Sequence, residues 1–173
     1  MKRFISMVVG LAVLTLPVLA MAAPDFNGAW VRDGAKSDPV VNTMYWLTRG
    51  VDAGGGRGPG GRGNATAPMT VRQDANSLEV TDPQGAVRKY SLDGKPSTRA
   101  TDTGIEKATV TASLQGDTLV IGTTQPYGGM PGNIGLEVKE MWSLSADGKT
   151  LTITTTRNSA AVQKTSRQVY NRK

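Results

Sequence analysis

The sequence predicts an all-β fold, an antiparallel up-and-down meander of about eight to ten strands closing into a barrel. Three observations predict it. Apolar and polar residues alternate wherever glycine and proline are sparse, which is the period of a half-buried strand. Turn signals punctuate the chain at the short spacing of all-β domains. Nearly every connection between residues 69 and 171 is short enough for a hairpin, so consecutive strands should be neighbours. A strand-only meander exposes two edges, and closure into a barrel removes them.

The chain opens with a different segment. Lys2 and Arg3 precede an almost unbroken apolar run at 5–19, and Ala20-Met21-Ala22 supplies small residues at a cleavage site. This reads as a secretory signal peptide (1–22) cut after Ala22, which makes the protein periplasmic or secreted. The alternative is an uncleaved N-terminal anchor. The apolar run is short for a membrane span, and no stop-transfer segment follows, so no span is expected after cleavage. No Cys follows the run, which excludes a lipid-anchored lipoprotein. Residues 23–173 are then one domain, long enough for a real core.

Residues 26–31, FNGAWV, read as a first strand entered through a turn, with Trp30 as a core residue rather than a ligand-facing ring. Residues 40–49, VVNTMYWLTR, fit a short helix or the start of a strand equally well. Residues 50–67 are nearly half glycine, with Val51 the one larger aliphatic, and read as a disordered Gly/Arg-rich loop. A G-x-G-x-x-G match at 56–61 has no strand leading into it and no helix after it. The RGG-like context of Arg57 and Arg62 carries little weight for an exported chain. Asn64-Ala65-Thr66 is a glycosylation sequon only in a glycosylating host.

From Met69 the meander runs without a break in pattern. Strands read at 69–74, 78–81, 87–92, weakly at 97–100, then at 107–115 and 118–123. In 107–115 Ala108, Val110, Ala112 and Leu114 face one way and Lys107, Thr109, Thr111 and Ser113 the other. Asp82-Pro83-Gln84-Gly85 suits a type I turn. Residues 125–135 form a second Gly/Pro loop containing Tyr127. The clearest hairpin is 136–157, with Leu136, Val138, Trp142 and Leu144 alternating up to a turn at Ala146-Asp147-Gly148-Lys149, and Leu151 and Ile153 alternating after it. Asp-Gly suits the positive φ of such turns. A last strand covers 162–171.

Composition restricts the chemistry. The chain has no Cys and no His. That removes disulfides, Cys and His nucleophile/base pairs, the Ser-His-Asp triad and the usual zinc sites. No metal cluster, phosphate loop or cofactor motif stands out, and no pair of acids co-faces as a glycosidase would require. The expectation is a non-enzyme. Net charge is +6, and Lys2 and Arg3 leave with the leader. The rest is scattered singly along strands, so it reads as solvated faces and not as a nucleic-acid surface.

Three stretches carry a resemblance. Phe26-Asn27-Gly28-x-Trp30 with Lys36-Ser37, then Trp142 to Thr152 with its Asp147-Gly148-Lys149-Thr150-Leu151 turn, then Val169-Tyr170-x-Arg172, resemble small secreted bacterial lipocalin-like β-barrel proteins of mostly unassigned function. Gly28-x-Trp30 is similar to the G-x-W of lipocalins. The resemblance implies that Trp30 packs beneath the barrel against an Arg from the last strand, Arg167 or Arg172 here. It also implies a barrel interior that either fills itself or holds one small ligand.

Within that frame Tyr45, Trp46 and Tyr127 are candidates for the mouth of a ligand site, and Tyr90, Trp142 and Leu151 for its wall or floor. Glu140 and Arg157 both fall on inward parity. They read either as a rim ion pair or as a polar anchor for a ligand head group. The functional expectation is an exported protein that binds a small, partly apolar molecule. The alternative is a non-catalytic envelope interaction or structural protein with a filled core. Deleting residues 54–63 should leave cooperative thermal unfolding intact; an unfolded product would show that the glycine-rich stretch is structural.

Overall fold

The computed structural model describes residues 23–38, 67–100, 107–126, 135–159 and 163–173. The leader at 1–22, the ambiguous 40–49 stretch and residues 50–66 lie outside them, and so do Tyr45, Trp46 and Tyr127. The described residues contain ten strands and no helix. These are β1 (Gly28–Arg32), β2 (Met69–Gln73), β3 (Ser77–Thr81), β4 (Val87–Ser91), β5 (Ser97–Ala100), β6 (Lys107–Gln115), β7 (Thr118–Pro126), β8 (Gly135–Leu144), β9 (Thr150–Asn158) and β10 (Gln163–Arg172). The weak strand at 97–100 is real, and the 118–123 strand runs on to Pro126.

All ten strands form one antiparallel sheet in the order β4-β3-β2-β1-β10-β9-β8-β7-β6-β5. Apart from β1 beside β10, hydrogen-bonded neighbours are consecutive in the chain, as the short connections require. The edges β4 and β5 are also consecutive, and the bend between them closes the barrel. Asp93 bridges Ser113 on β6, and Gly94 N–H donates to the Ala112 carbonyl at 3.0 Å. Gly94 has φ +74°, which a glycine reaches without steric cost. The result is a nearly closed up-and-down barrel.

The closed end is tied from below by both termini. Gly28 has φ +137°, so the chain turns sharply as it enters β1. Before the turn, Phe26 N–H donates to Gln73 Oε1 at 2.9 Å, and Asn27 Oδ1 accepts from Gln73 N–H at 2.6 Å. Trp30 is fully buried, and its indole N–H donates to the Phe26 carbonyl at 3.0 Å. Arg172, and not Arg167, lies over the Trp30 ring at 4.6 Å. Its guanidinium also donates to the carbonyls of Gly148, Asn27 and Asp25 at 2.8–2.9 Å. Arg167 instead pairs its backbone with Asp38 on the outer wall.

The apolar core fills this end. Phe26, Trp30, Leu78, Leu119 and Leu151 are fully inaccessible. Phe26 meets Trp142 edge-to-face at 6.2 Å between centroids, the arrangement that ring quadrupoles favour. Trp30→Ala should lower stability by about 3–5 kcal/mol. Arg172→Ala should lose about 0.5–1 kcal/mol from the ring contact alone, and more from three carbonyls left without their donor. Urea unfolding measures both; unchanged stability in Trp30→Ala would place the ring outside the core.

Candidate functional site

The inner face can be read row by row, because antiparallel register fixes which side chains lie side by side. Nearest the floor is Leu144–Leu151–Tyr170, and above it lies Leu114–Leu119–Trp142–Ile153–Gln168. The next row is Ala112–Ile121–Glu140–Thr155–Ser166. Above it lies Ser97–Val110–Thr123–Val138–Arg157–Lys164. Last come the pairs Arg99–Ala108 and Gln125–Leu136. The interior therefore changes from apolar to mixed polar along its axis. The strand ends bordering residues 39–66, 101–106, 127–134 and 160–162 all lie at the polar end.

Two strands contribute cations that hydropathy does not reveal. On β4, Tyr90 is buried, so period 2 turns Arg88 inward too and leaves Val87 53% exposed. On β5, Arg99 stands opposite buried Ala108. Arg88 and Arg99 thus sit on the two edge strands, one on each side of the place where β4 and β5 do not pair. The Arg99 guanidinium hydrogen-bonds the Tyr90 hydroxyl, and Arg88 and Glu140 also act on it electrostatically. Burial first, then the Glu140 carboxylate, push the Tyr90 hydroxyl above its ordinary pKa, while the two arginines pull the other way.

Of the sequence-derived candidates, Tyr90, Glu140, Trp142 and Arg157 share this inner face, and Tyr45, Trp46 and Tyr127 fall outside the described residues. Trp142 belongs to the floor: it is 3% exposed, and its indole N–H donates to Glu140 Oε2 at 2.9 Å. An ion pair between Glu140 and Arg157 is not among the salt bridges formed by the described residues. Register sets Glu140 opposite Thr155 and Arg157 opposite Val138, so the two lie on adjacent rows. Arg157 donates to Ser166 Oγ at 3.3 Å. The sequence reading missed Arg88, Arg99, Gln125 and Lys164. Parity counted from Tyr90 on β4 and Ile121 on β7 would have found Arg88 and Gln125, whereas Arg99 and Lys164 follow only from the register of β5 on β6 and of β10 on β9.

Among the buried polar atoms of this region that lack a hydrogen-bond partner among the described residues are Arg99 Nη1 and Gln125 Oε1, and Gln125 as a whole is 7% exposed. Buried polar groups are normally satisfied, and leaving one unsatisfied costs about 1–3 kcal/mol. No group of three acidic, His or Cys side chains that could hold a metal ion occurs among the described residues. On the outer wall, Gly122 leaves a shallow depression among Thr111, Thr124, Lys139 and Thr156. It lies on the opposite face of the same strands and opens to solvent. No described helix is long and apolar enough to cross a membrane.

No protein-family profile matches the chain, and no curated protein matches it significantly. Several solved structures are similar in chain path. A mutant of the fluorescent protein UnaG is 18% identical, over 86% of this chain and 96% of that one, with a TM-score of 0.49. Secretory abundant heat soluble protein 4 from Ramazzottius varieornatus is 13% identical, over 85% and 94%, also at 0.49. A luciferase domain from the dinoflagellate Lingulodinium polyedrum is 7% identical, over 89% of this chain and 46% of that one, at 0.47. Likenesses this distant leave the barrel description resting on the strand registers given above.

The Tyr90 environment has a pH signature. Its pKa is raised on folding, so its contribution is fully present below the ordinary value of 10.0 and is lost as pH rises from there through the folded value. Stability should fall more steeply between pH 9 and pH 11 in the native sequence than in Tyr90→Phe. Urea midpoints at the two pH values read the slope. The constant offset of about 1 kcal/mol from losing the hydroxyl's hydrogen bond cancels in that comparison.

Proposed function

We propose that this is an exported, non-catalytic, lipocalin-like barrel that binds one small, partly apolar molecule at the polar end of its interior. The observation that carries the reading is the axial asymmetry of the inner rows. Large apolar side chains are buried at the floor, while the upper rows hold small side chains at Ala108 and Ala112 and buried polar atoms, Arg99 Nη1 and Gln125 Oε1, with no partner among the described residues. Small-molecule sites are usually built this way, from mostly apolar walls with a few convergent polar groups. Tyr90, Arg157 and the Glu140–Trp142 pair form its lower wall. Tyr45, Trp46 and Tyr127 belong to segments that follow strand ends at the same end of the barrel. The leader at 1–22 supports a periplasmic or secreted location, and with it the small secreted bacterial group that the motifs resemble.

A second reading is favoured by the floor itself. Phe26, Trp30 and Trp142 interlock so closely that the barrel is self-filled at that level. An envelope interaction protein with a filled core would use the same packing. The two readings differ in mass. Protein taken from the periplasm should show an excess in native mass spectrometry that disappears under denaturing conditions. Agreement of both spectra with the bare chain cut after Ala22 would shift the weight to the filled barrel, and retention of residues 1–22 would overturn the cleavage site.

A further inference from the structure

We infer that the ligand is an uncharged molecule with an amide-like edge, whose N–H donates to Gln125 Oε1 and whose carbonyl oxygen accepts from Arg99 Nη1 across the small side chain of Ala108. The inference deepens the binding reading above and rests on it.

The site is one row of the barrel wall. Arg99 on β5 pairs with Ala108 on β6, and Gln125 on β7 pairs with Leu136 on β8. The register that sets Thr109 opposite Thr124 brings Ala108 beside Gln125 at the next step. The row is therefore Arg99–Ala108–Gln125–Leu136, at the polar end of the interior. Adjacent strands lie about 4.8 Å apart, so the Arg99 and Gln125 backbones stand about 9–10 Å apart with only a methyl group between them.

Gln125 is a buried amide whose oxygen has no structural task. Its neighbours on both sides, Ala108 and Leu136, are buried and apolar, and neither side chain can donate to Oε1. Two other glutamines of the barrel wall show the contrast. Gln73 Oε1 accepts from the Phe26 N–H, and its Nε2 donates to the Pro24 carbonyl. Gln168 Oε1 accepts from Arg32 Nε–H, and its Nε2 donates to the Asp38 carbonyl. Of the three, Gln125 alone keeps its oxygen without a donor, which is costly inside a wall.

Arg99 supplies the complementary group. Its guanidinium hydrogen-bonds the Tyr90 hydroxyl on β4, on the side of Arg99 away from Gln125. That bond holds the guanidinium back from Gln125 and leaves Nη1 buried with no acceptor. Closing Arg99 directly onto Gln125 would give up the Tyr90 bond. One open donor and one open acceptor thus share a row.

A single ligand has to serve both. An oxyanion would satisfy Nη1 but turn lone pairs toward Oε1. An ammonium group would donate to Oε1 but bring a like charge to Arg99. A group with one acceptor and one N–H donor on the same edge serves both, and amides, lactams and ureas have that pattern. No further charge is required of it, because Arg88 and Arg157 engage groups within the protein. Val110, Leu136 and Val138 are buried beside this row, so the rest of the ligand is apolar. A water molecule also combines donor and acceptor, and it is the competing occupant.

Dansyl-aminoundecanamide, its N,N-dimethylamide and the parent acid share one body and differ only at the edge that the row would read. The ligand-stripped exported protein is titrated with each at neutral pH, alongside Gln125→Met and Arg99→Gln, with thermal unfolding to show that each variant remains folded. The primary amide should bind about tenfold tighter than the dimethylamide, the worth of one hydrogen bond to a buried acceptor, and at least as tightly as the acid. Gln125→Met should bring the two amides within about twofold of each other. Arg99→Gln should weaken both amides by a similar factor, because both keep the carbonyl. Equal affinity of the two amides for the native protein would assign Gln125 Oε1 to water and overturn the inference while leaving the binding barrel standing. Tighter binding of the acid, or an amide preference that survives Gln125→Met, would also overturn it. Failure of all three probes to bind the folded native protein would overturn the binding reading and this inference together.

Discussion

The contact on which the barrel depends is Arg172 over Trp30. It joins the first strand to the last, so it determines that β1 and β10 are neighbours and that the meander becomes a ring of strands. The attraction of a guanidinium for an indole face is modest, about 0.5–1 kcal/mol at an exposed site. Its effect is large because the same guanidinium reaches the carbonyls of Asp25, Asn27 and Gly148. One side chain thus satisfies the chain entering the barrel, the ring beneath it and the β8–β9 turn. Trp30 completes the arrangement by donating to the Phe26 carbonyl, four residues back. Gly28 permits it, because φ +137° between Phe26 and Trp30 is open to glycine and strained for other residues.

With the floor fixed by the termini, the distribution of polarity follows from geometry. Short hairpins and the terminal clamp crowd the closed end, and large apolar side chains there meet from every direction. At the other end β4 and β5 lie unpaired. Polar side chains can be tolerated only where something accepts their hydrogen bonds. Glu140 is the clearest case: it lies one row above the floor and is held by the indole N–H of Trp142, so the boundary between the apolar and polar halves is itself a hydrogen bond. Thr123, Gln125 and Thr155 lie at or above that boundary and are buried, whereas the rows below it are formed almost wholly by apolar side chains.

What could be read from the sequence divides along the same line. The strands, their neighbours, the turns at Asp82–Gly85 and Asp147–Gly148 and the burial of Trp30 follow from period-2 alternation and turn chemistry, which are local. The partner of Trp30 was legible only as a choice between Arg167 and Arg172, because resemblance gives an end of the last strand and not a parity. Arg172 faces the floor, while Arg167, an odd number of residues away, faces out and pairs with Asp38. The polar half was harder for a physical reason. An arginine two residues before Tyr90 looks like a solvated strand residue, and Val87 looks like the core residue; only fixing the parity from Tyr90 reverses them. Arg99 is harder still, since a four-residue strand shows too little alternation to reveal its inner face. Glu140 and Arg157 shared a face as expected, but a pairing across β8–β9 depends on a one-residue choice of register, and the register sets each of them opposite another residue.

The two edge strands explain why a barrel would keep charge inside at all. Closure at Asp93–Ser113 and Gly94–Ala112 secures only the bend between β4 and β5. Beyond it the strands carry backbone groups that no neighbouring strand pairs, the usual starting point for association with another chain. Filling that region with apolar side chains would create a sticky seam. Placing Arg88 and Arg99 there keeps the seam polar. The same solution that protects the edges therefore places charged side chains at the polar end, where Arg99 hydrogen-bonds the Tyr90 hydroxyl. Edge protection and the polarity of this end are then two consequences of one constraint, the incomplete closure of the sheet.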